Sequence, residues 1–392
     1  MTISSIRKIF SKASQTGFSI MLLILFCSSG YAADGITWGR LWFKPELGLR
    51  EKYSDNIYLD SDNTKEDYIT TISPKLSSYL AFTPDSKLDL TYRGNFNHHS
   101  NFDNFGNSNQ GDIGWSLYMP AGSNIKIGAN VLDTAIQPYY ESDREKPYLK
   151  KAAFMDTLLK LGSFNEIGMR YEYSVRQFDN KLDREDDYDL NYFKIDFVNR
   201  YFPRFPLLLE YRYGVKHAEY NPSTNSRSNA IYVGARWTPE TRLSGNLRIG
   251  YQYTDYDEID DVSLIVVDTS LDYKLSDITT LRLKAIRKLK DSVRADIRET
   301  GNNYMFTILE GHFLYRFSDP LKLSLRLTYE KKDYDIEEQR EDNLYGTRIA
   351  MDYSFSRWLS FYLSYRYRIN MSTLESVEYK ENVGYAGVSF SL

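Results

Sequence analysis

From residue 38 onward the chain alternates apolar and polar residues with a period of two, and no other feature limits the fold as much. In Leu321-Lys-Leu-Ser-Leu-Arg-Leu-Thr-Tyr329, Leu321, Leu323, Leu325, Leu327 and Tyr329 share one face. Lys322, Ser324, Arg326 and Thr328 share the other. Side chains alternate across a strand, whereas a helix would scatter these leucines around its circumference. The same pattern runs through residues 243–253 and 359–367.

Short turn signals centre on Pro84, Pro120, Ser163, Arg204, Pro239, Ser276, Asp319 and Ser356. Their spacing is nearly even and defines an internal repeat of about 39 residues. Each repeat holds a strand, a polar loop and a returning strand. A further pair near residues 39–56 and 68–82 precedes Pro84, so the pattern predicts nine hairpins and about 18 strands. A soluble propeller would need four strands per repeat and an apolar stripe on both faces. A transmembrane barrel needs two strands per repeat, short turns at one rim and longer loops at the other. The sequence has that asymmetry. Its longer loops carry the acid, as in residues 183–187, 255–261 and 333–342.

The apolar face has the height such a barrel requires. Leu321 to Tyr329 spans about 26 Å at roughly 3.3 Å per residue, or about 20 Å at a tilt of about 40°. Tyrosine pairs recur at one level: Tyr171 and Tyr173, Tyr211 and Tyr213, Tyr251 and Tyr253, Tyr365 and Tyr367. Phe82, Trp237, Phe317 and Phe355 sit by the short turns. Two levels of rings read as two interfacial girdles. Composition agrees: 34 Tyr and 21 Phe coexist with 26% charged residues, too polar for a helical membrane protein. A formal charge of −4 gives no support for nucleic-acid binding. A single cysteine, Cys27, excludes a disulfide scaffold and a cysteine-based zinc site.

Residues 1–32 read as a cleaved signal peptide and residues 33–392 as one barrel domain. Arg7, Lys8 and Lys12 form the basic segment, residues 18–26 the apolar one, and Gly30-Tyr31-Ala32 the cleavage site. The last residues, Gly387, Phe390 and Leu392, match the terminal signal read by barrel assembly machinery. No plug domain is expected ahead of the first strand.

Glu46-Leu-Gly-Leu-Arg-Glu-Lys-Tyr-Ser-Asp-Asn-Ile-Tyr58, followed by Asp67-Tyr-Ile-Thr-Thr-Ile-Ser-Pro-Lys-Leu76, resembles the opening of the putative β-barrel porin-2 family. The Tyr-x-Tyr strands and Asp-rich loops are similar to the rest of that family. The resemblance implies an outer-membrane channel associated with exopolysaccharide or capsule export.

The polar strand faces then line a lumen, which eighteen strands leave wide enough for water. Arg93, Arg170, Arg212, Arg248, Arg326 and Arg366 form a basic ladder there, with Lys126, Lys284, Lys288 and Arg176 near the same level. Guanidinium recognises carboxylate or phosphate in a planar, bidentate way, so the ladder is a candidate contact for an acidic polymer or anion. Tyr79, Tyr118, Tyr232 and Tyr362 are candidate stacking platforms for sugars. The competing expectation is structural. Asp112, Asp156, Asp196, Asp272, Glu310 and Asp352 share the interior, and acid–base pairs across strands would brace the wall.

The acidic loops read as solvated, and none matches an EF-hand. Catalysis is not expected. Only His98, His99, His217 and His312 are present, and adjacent His98 and His99 point to opposite faces of a strand. No metal or cofactor is predicted. The fold is therefore all-β: a single transmembrane antiparallel up-and-down barrel of about 18 strands in a bacterial outer membrane. Expected partners are outer-membrane lipid and lipopolysaccharide, barrel assembly machinery, acidic polysaccharide and separate periplasmic export components. The expected function is polysaccharide export. The alternatives are a general small-solute porin and a structural barrel with a closed lumen.

Overall fold

The computed structural model describes residues 35–103, 105–136, 145–202, 204–237, 242–258, 260–291, 303–334 and 340–392. The expected signal peptide and the turn centre Pro239 lie outside the described residues. A short strand, β1 (Ile36–Trp38), precedes eighteen long ones. These are β2 (Leu41–Ser54), β3 (Asp67–Thr83), β4 (Ser86–His99), β5 (Ser108–Tyr118), β6 (Asn124–Ile136) and β7 (Lys146–Leu161). Next come β8 (Asn165–Phe178), β9 (Tyr188–Asn199), β10 (Leu207–His217), β11 (Ser226–Trp237), β12 (Leu243–Tyr256) and β13 (Val262–Ser276). The last six are β14 (Thr279–Asp291), β15 (Asn303–Arg316), β16 (Leu321–Tyr334), β17 (Glu341–Ser354), β18 (Leu359–Ser372) and β19 (Tyr379–Ser391).

Every long strand pairs antiparallel with its sequence neighbours, and β19 returns to β2 with Val383 opposite Ser54 and Ser391 opposite Glu46. The ring is closed, so no backbone edge is left unpaired in a membrane. β1 folds back on β2 through a turn at Gly39 (φ 61°), with Trp38 opposite Leu41. Among the described residues no helix is long and apolar enough to cross a membrane.

Alternation decides which way each side chain points. Leu323, Leu325, Leu327, Ile349, Leu363 and Ile249 stand exposed on the outer wall. Their odd-numbered neighbours share that wall, and the even-numbered positions of β16, β17, β18 and β12 face the interior. The tyrosines of one girdle stand on the outer wall as expected, with Tyr171, Tyr211, Tyr251 and Tyr365 exposed.

Three of those phenols, and those of Tyr329 and Tyr92, are clasped by a device the sequence pattern did not reveal. Tyr171 donates to Asn191 (2.8 Å), Tyr211 to Asn229 (2.7 Å), Tyr329 to Asn343 (2.8 Å), Tyr365 to Asn382 (2.5 Å) and Tyr92 to Asn109 (2.9 Å). In each case the asparagine lies two residues before the position opposite the tyrosine. A tyrosine at the membrane interface has an apolar body and a hydroxyl that needs a partner. The diagonal asparagine supplies it and stitches neighbouring strands together.

Candidate functional site

The interior wall between β9 and β13 is built in two layers. Glu210 on β10 is fully buried (0% exposed), while Arg212 above it is 22% exposed. Arg212 Nε donates to Glu210 at 2.6 Å, and Arg248 on β12 donates to the other carboxylate oxygen at 3.0 Å. Asp268 on β13 accepts from Arg212 (2.7 Å) and lies 3.0 Å from Arg248. Asp196 on β9, also buried, accepts from Arg236 on β11 (2.7 Å) and sits 3.3 Å from Lys194. Arg212 thus reaches from β10 to β13. Gly234 on β11 and Gly250 on β12 lie between these strands, where backbone packs closely. A Cβ on Gly234 would come within 1.8 Å of the Leu247 carbonyl oxygen, so the strands approach as only glycine allows.

The same layering recurs at β18 and β19. Glu381 is buried, and Arg366 (3.0 Å) and Arg368 (2.8 Å) donate to it from the half-buried layer above. Glu210, Asp196 and Glu381 lie buried against the wall with guanidiniums on the lumen side of them, whereas Asp268, 28% exposed, reaches the lumen beside Arg212 and Arg248. Ion pairing braces the strands, and at the three buried carboxylates it leaves guanidinium as the exposed partner. Arg170 is held by Asp156 (2.9 Å) and Glu172 (2.6 Å) in a more open arrangement. Arg282 and Asp272 form a bidentate pair at 2.7 and 2.8 Å.

The rest of the predicted ladder is less tightly held. Arg326 lies 3.6 Å from Glu310 and 3.5 Å from His312 Nδ1. Arg93 is exposed on β4. Lys126 on β6 stands over the Phe154 ring at 5.8 Å. Lys284 and Lys288 occupy inward positions of β14, opposite Glu310 and Phe306. All nine predicted cations face the interior, but the structure divides them into a braced group and a looser group.

The four predicted aromatics separate as well. Tyr79 stacks on Trp42 with ring centres 5.2 Å apart, and Tyr118 is exposed at the end of β5 near the short-turn rim. The Tyr362 hydroxyl accepts from Arg348. Tyr232 is buried, with the Arg212 guanidinium 4.3 Å from its ring centre, so its face is closed to a passing solute. A free-stacking role for Tyr232 is accordingly corrected to that of a support for Arg212.

Sequence reasoning passed over Arg236, Glu210, Asp268, Glu381 and Arg348. Parity would have found them, since each occupies the inward register of a strand already assigned.

The long-loop rim folds inward. Ile57, Ile69 and Phe105 form a small apolar cluster with Tyr58 and Phe102 packed on it. Beside it His99 Nδ1 lies 2.7 Å from Asp67, with both side chains buried, and its ring stacks on Phe105. His98, by contrast, is exposed, as expected for the opposite face. Residues 181–186 wind into a short 3-10 turn that buries Asp183 and Asp186. That loop was expected to be solvated. It docks because Arg176 donates twice to the Asp186 carbonyl (3.0 and 2.7 Å) and Lys146 lies 3.9 Å from both carboxylates. Burial pushes the Asp186 carboxyl up to about 6, against the pull of Arg176 and Lys146. Asp187 is also raised by burial.

Below this turn lies a cavity of about 640 Å³ bounded by β8 to β12 on one side and β14 and β15 on the other. Arg176, Lys216, Lys288 and Lys290 line it together with Asp186, Asp187, Tyr188 and Tyr256. Among the described residues no group of three or more His, Cys, Asp or Glu is placed to hold a metal ion.

A family profile described as "Putative beta-barrel porin 2" matches residues 169–392. The match begins in β8, so the opening motif around residues 46–58 lies outside it. A search of curated proteins finds no match. Among solved structures, OpdK of Pseudomonas aeruginosa with vanillate is 13% identical over 89% of this chain and 98% of that one, with a TM-score of 0.51. A BenF-like porin from Pseudomonas fluorescens Pf-5 is 11% identical over 89% of this chain and 99% of that one, also at 0.51. OccK2 (OpdF) of P. aeruginosa in complex with glucuronate is 12% identical over 89% and 98%, at 0.51. At these identities the likeness shows the fold.

Proposed function

The chain belongs to the family described as putative beta-barrel porin 2, and from that premise we propose that it is a channel for small hydrophilic solutes. It is a bacterial outer-membrane β-barrel. The observation that carries the channel reading is the solvent access of charged side chains in mid-wall. Arg170 and Asp156 are 33% and 36% exposed although they point inward. A lumen packed shut would bury such groups, at a cost of several kcal/mol per ion. Two neighbours hold small solutes, vanillate and glucuronate, and a third is a porin by name, which supports small solutes here. Export of an acidic polysaccharide, expected from the resemblance, draws no support from these neighbours.

Liposome swelling tests the reading. Vesicles carrying the protein should swell in isosmotic arabinose or glycine faster than protein-free vesicles, with the rate falling as solute size grows. Swelling no faster than in empty vesicles would overturn it. Deleting the protein should leave polysaccharide secretion unchanged.

A further inference from the structure

Three arginines lie directly opposite one another on successive strands. Arg326 on β16 faces Arg348 on β17, and Arg348 faces Arg366 on β18. Like charges directly opposite on a sheet destabilise it. Neighbouring strands are about 4.8 Å apart, so the three arginine backbones fall within about 10 Å. Their compensation is incomplete. Arg366 shares Glu381 with Arg368, and Arg326 has Glu310 at 3.6 Å. Among the described residues Arg348 has no carboxylate within 4 Å. It donates instead to the Tyr362 hydroxyl and to Ser364.

Two further observations point into the same spot. The Nε–H groups of Arg326, Arg348 and Arg366 are all buried, and none has a hydrogen-bond acceptor among the described residues. A buried donor without an acceptor costs about 1–3 kcal/mol, more when charged. Guanidiniums also converge on the Tyr385 ring of β19. Arg348 lies 5.3 Å from its centre, Arg366 5.8 Å, and Arg50 of β2 5.6 Å. Arg50 is exposed, and among the described residues its side chain makes no hydrogen bond or ion pair. The braced network at β9 to β13 differs on this point, since each of its arginines meets a carboxylate.

We propose that Arg348, Arg366 and Arg50, gathered around Tyr385, with Arg326 opposite Arg348 on the next strand, form an oxyanion-binding station on the lumen wall. The ligand class is a small solute bearing a carboxylate or sulfate group, which would accept from the guanidinium forks. The inference rests on the channel reading for its biological sense, but its binding test does not require conduction. The station lies on the sector where β19 closes onto β2, away from the cavity under the 181–186 turn.

Saturation-transfer NMR on the purified protein, with benzoate as probe at fixed ionic strength, reads binding directly. The wild type should bind benzoate, and inorganic sulfate should displace it. Arg50→Gln with Arg348→Gln should weaken binding about tenfold, the loss of one charge-assisted contact or more. Arg50→Gln alone, which removes no contact the fold depends on, should weaken it less but measurably. Arg357→Gln, in the exposed turn before β18, should leave it unchanged. Equal benzoate affinity in the wild type and the Arg50→Gln variant would overturn the proposal. So would failure of sulfate to compete, since ring stacking alone would then account for binding. Conductance recorded on the same samples separates the two readings. Binding without conductance removes the channel and leaves the station, whereas conductance without an effect of Arg50→Gln on binding does the reverse.

Discussion

Glu210 shows how a single carboxylate organises the wall. It is fully buried and accepts from Arg212 and Arg248, with Arg236 at 3.9 Å. Removing one partner of a buried pair typically costs about 3–5 kcal/mol, because the remaining charge is left uncompensated. Glu210→Gln should therefore destabilise the barrel by on the order of 3 kcal/mol. A lower temperature for the heat-induced mobility shift on gels would register it, and an unchanged transition would contradict the layered reading. Asp186 works in the opposite sense. Its folded pKa of about 6 lies above the ordinary 3.8, so burial favours its neutral form. The docked 181–186 turn is thus most stable below about pH 4, and that increment is lost as pH rises through about 6. Hydrogen exchange of residues 181–186, corrected for intrinsic rates, should show more protection at pH 5 than at pH 8. Asp186→Asn should remove the difference; a pH dependence that survives it would assign the effect elsewhere.

At the scale of the strand, the tyrosine–asparagine clasps make the outer girdle a set of hydrogen-bonded hairpins. Asn191→Ala and Asn229→Ala should each cost about 1 kcal/mol, the ordinary net worth of such a bond. The clasps lie on separate strand pairs and share no partner, so the two losses should add. Denaturant unfolding of the singles and the double in detergent checks this, and a wild-type midpoint for both singles would refute it. The strands themselves were legible in the sequence. Residues 321–334 and 359–372 are strands that carry the alternation read from Leu321 and Leu359, and the barrel-strand count matches the hairpin count. Period two is a local property, so a window of nine residues exposes it. The clasps were not legible, because tyrosine and asparagine are paired by register between strands about 20 residues apart in the chain. The 181–186 turn was misread for a similar reason. Its acidic composition favours solvent, and only the tertiary placement of Arg176 and Lys146 turns it inward.

At the scale of the whole molecule, a closed ring of eighteen strands separates an apolar outer wall from a charged interior. Sequence parity placed Arg93, Arg170, Arg212, Arg248, Arg326 and Arg366 on the inner wall, and the structure puts them there. It could not tell which of them a carboxylate holds. Glu210 and Arg248 lie 38 residues apart and meet only because β11 is passed over between them. At Glu210, Asp196 and Glu381 the carboxylate is buried beneath its arginines, so these sectors of the inner wall present guanidinium although the chain carries a formal charge of −4, and the loop acids lie at one rim. A low-dielectric wall lined with one sign of charge concentrates the opposite ion. Net charge alone would predict a cation-preferring pore, and the layering predicts the reverse.

Single-channel recording of protein purified from outer membranes into a planar bilayer tests this account most directly. Discrete, ohmic conductance steps with a reversal potential that favours chloride over potassium in a salt gradient are the expected result. A membrane that stays silent at all protein loads would contradict an open, charge-lined lumen. Open steps that favour potassium would contradict the layered arrangement of its charges.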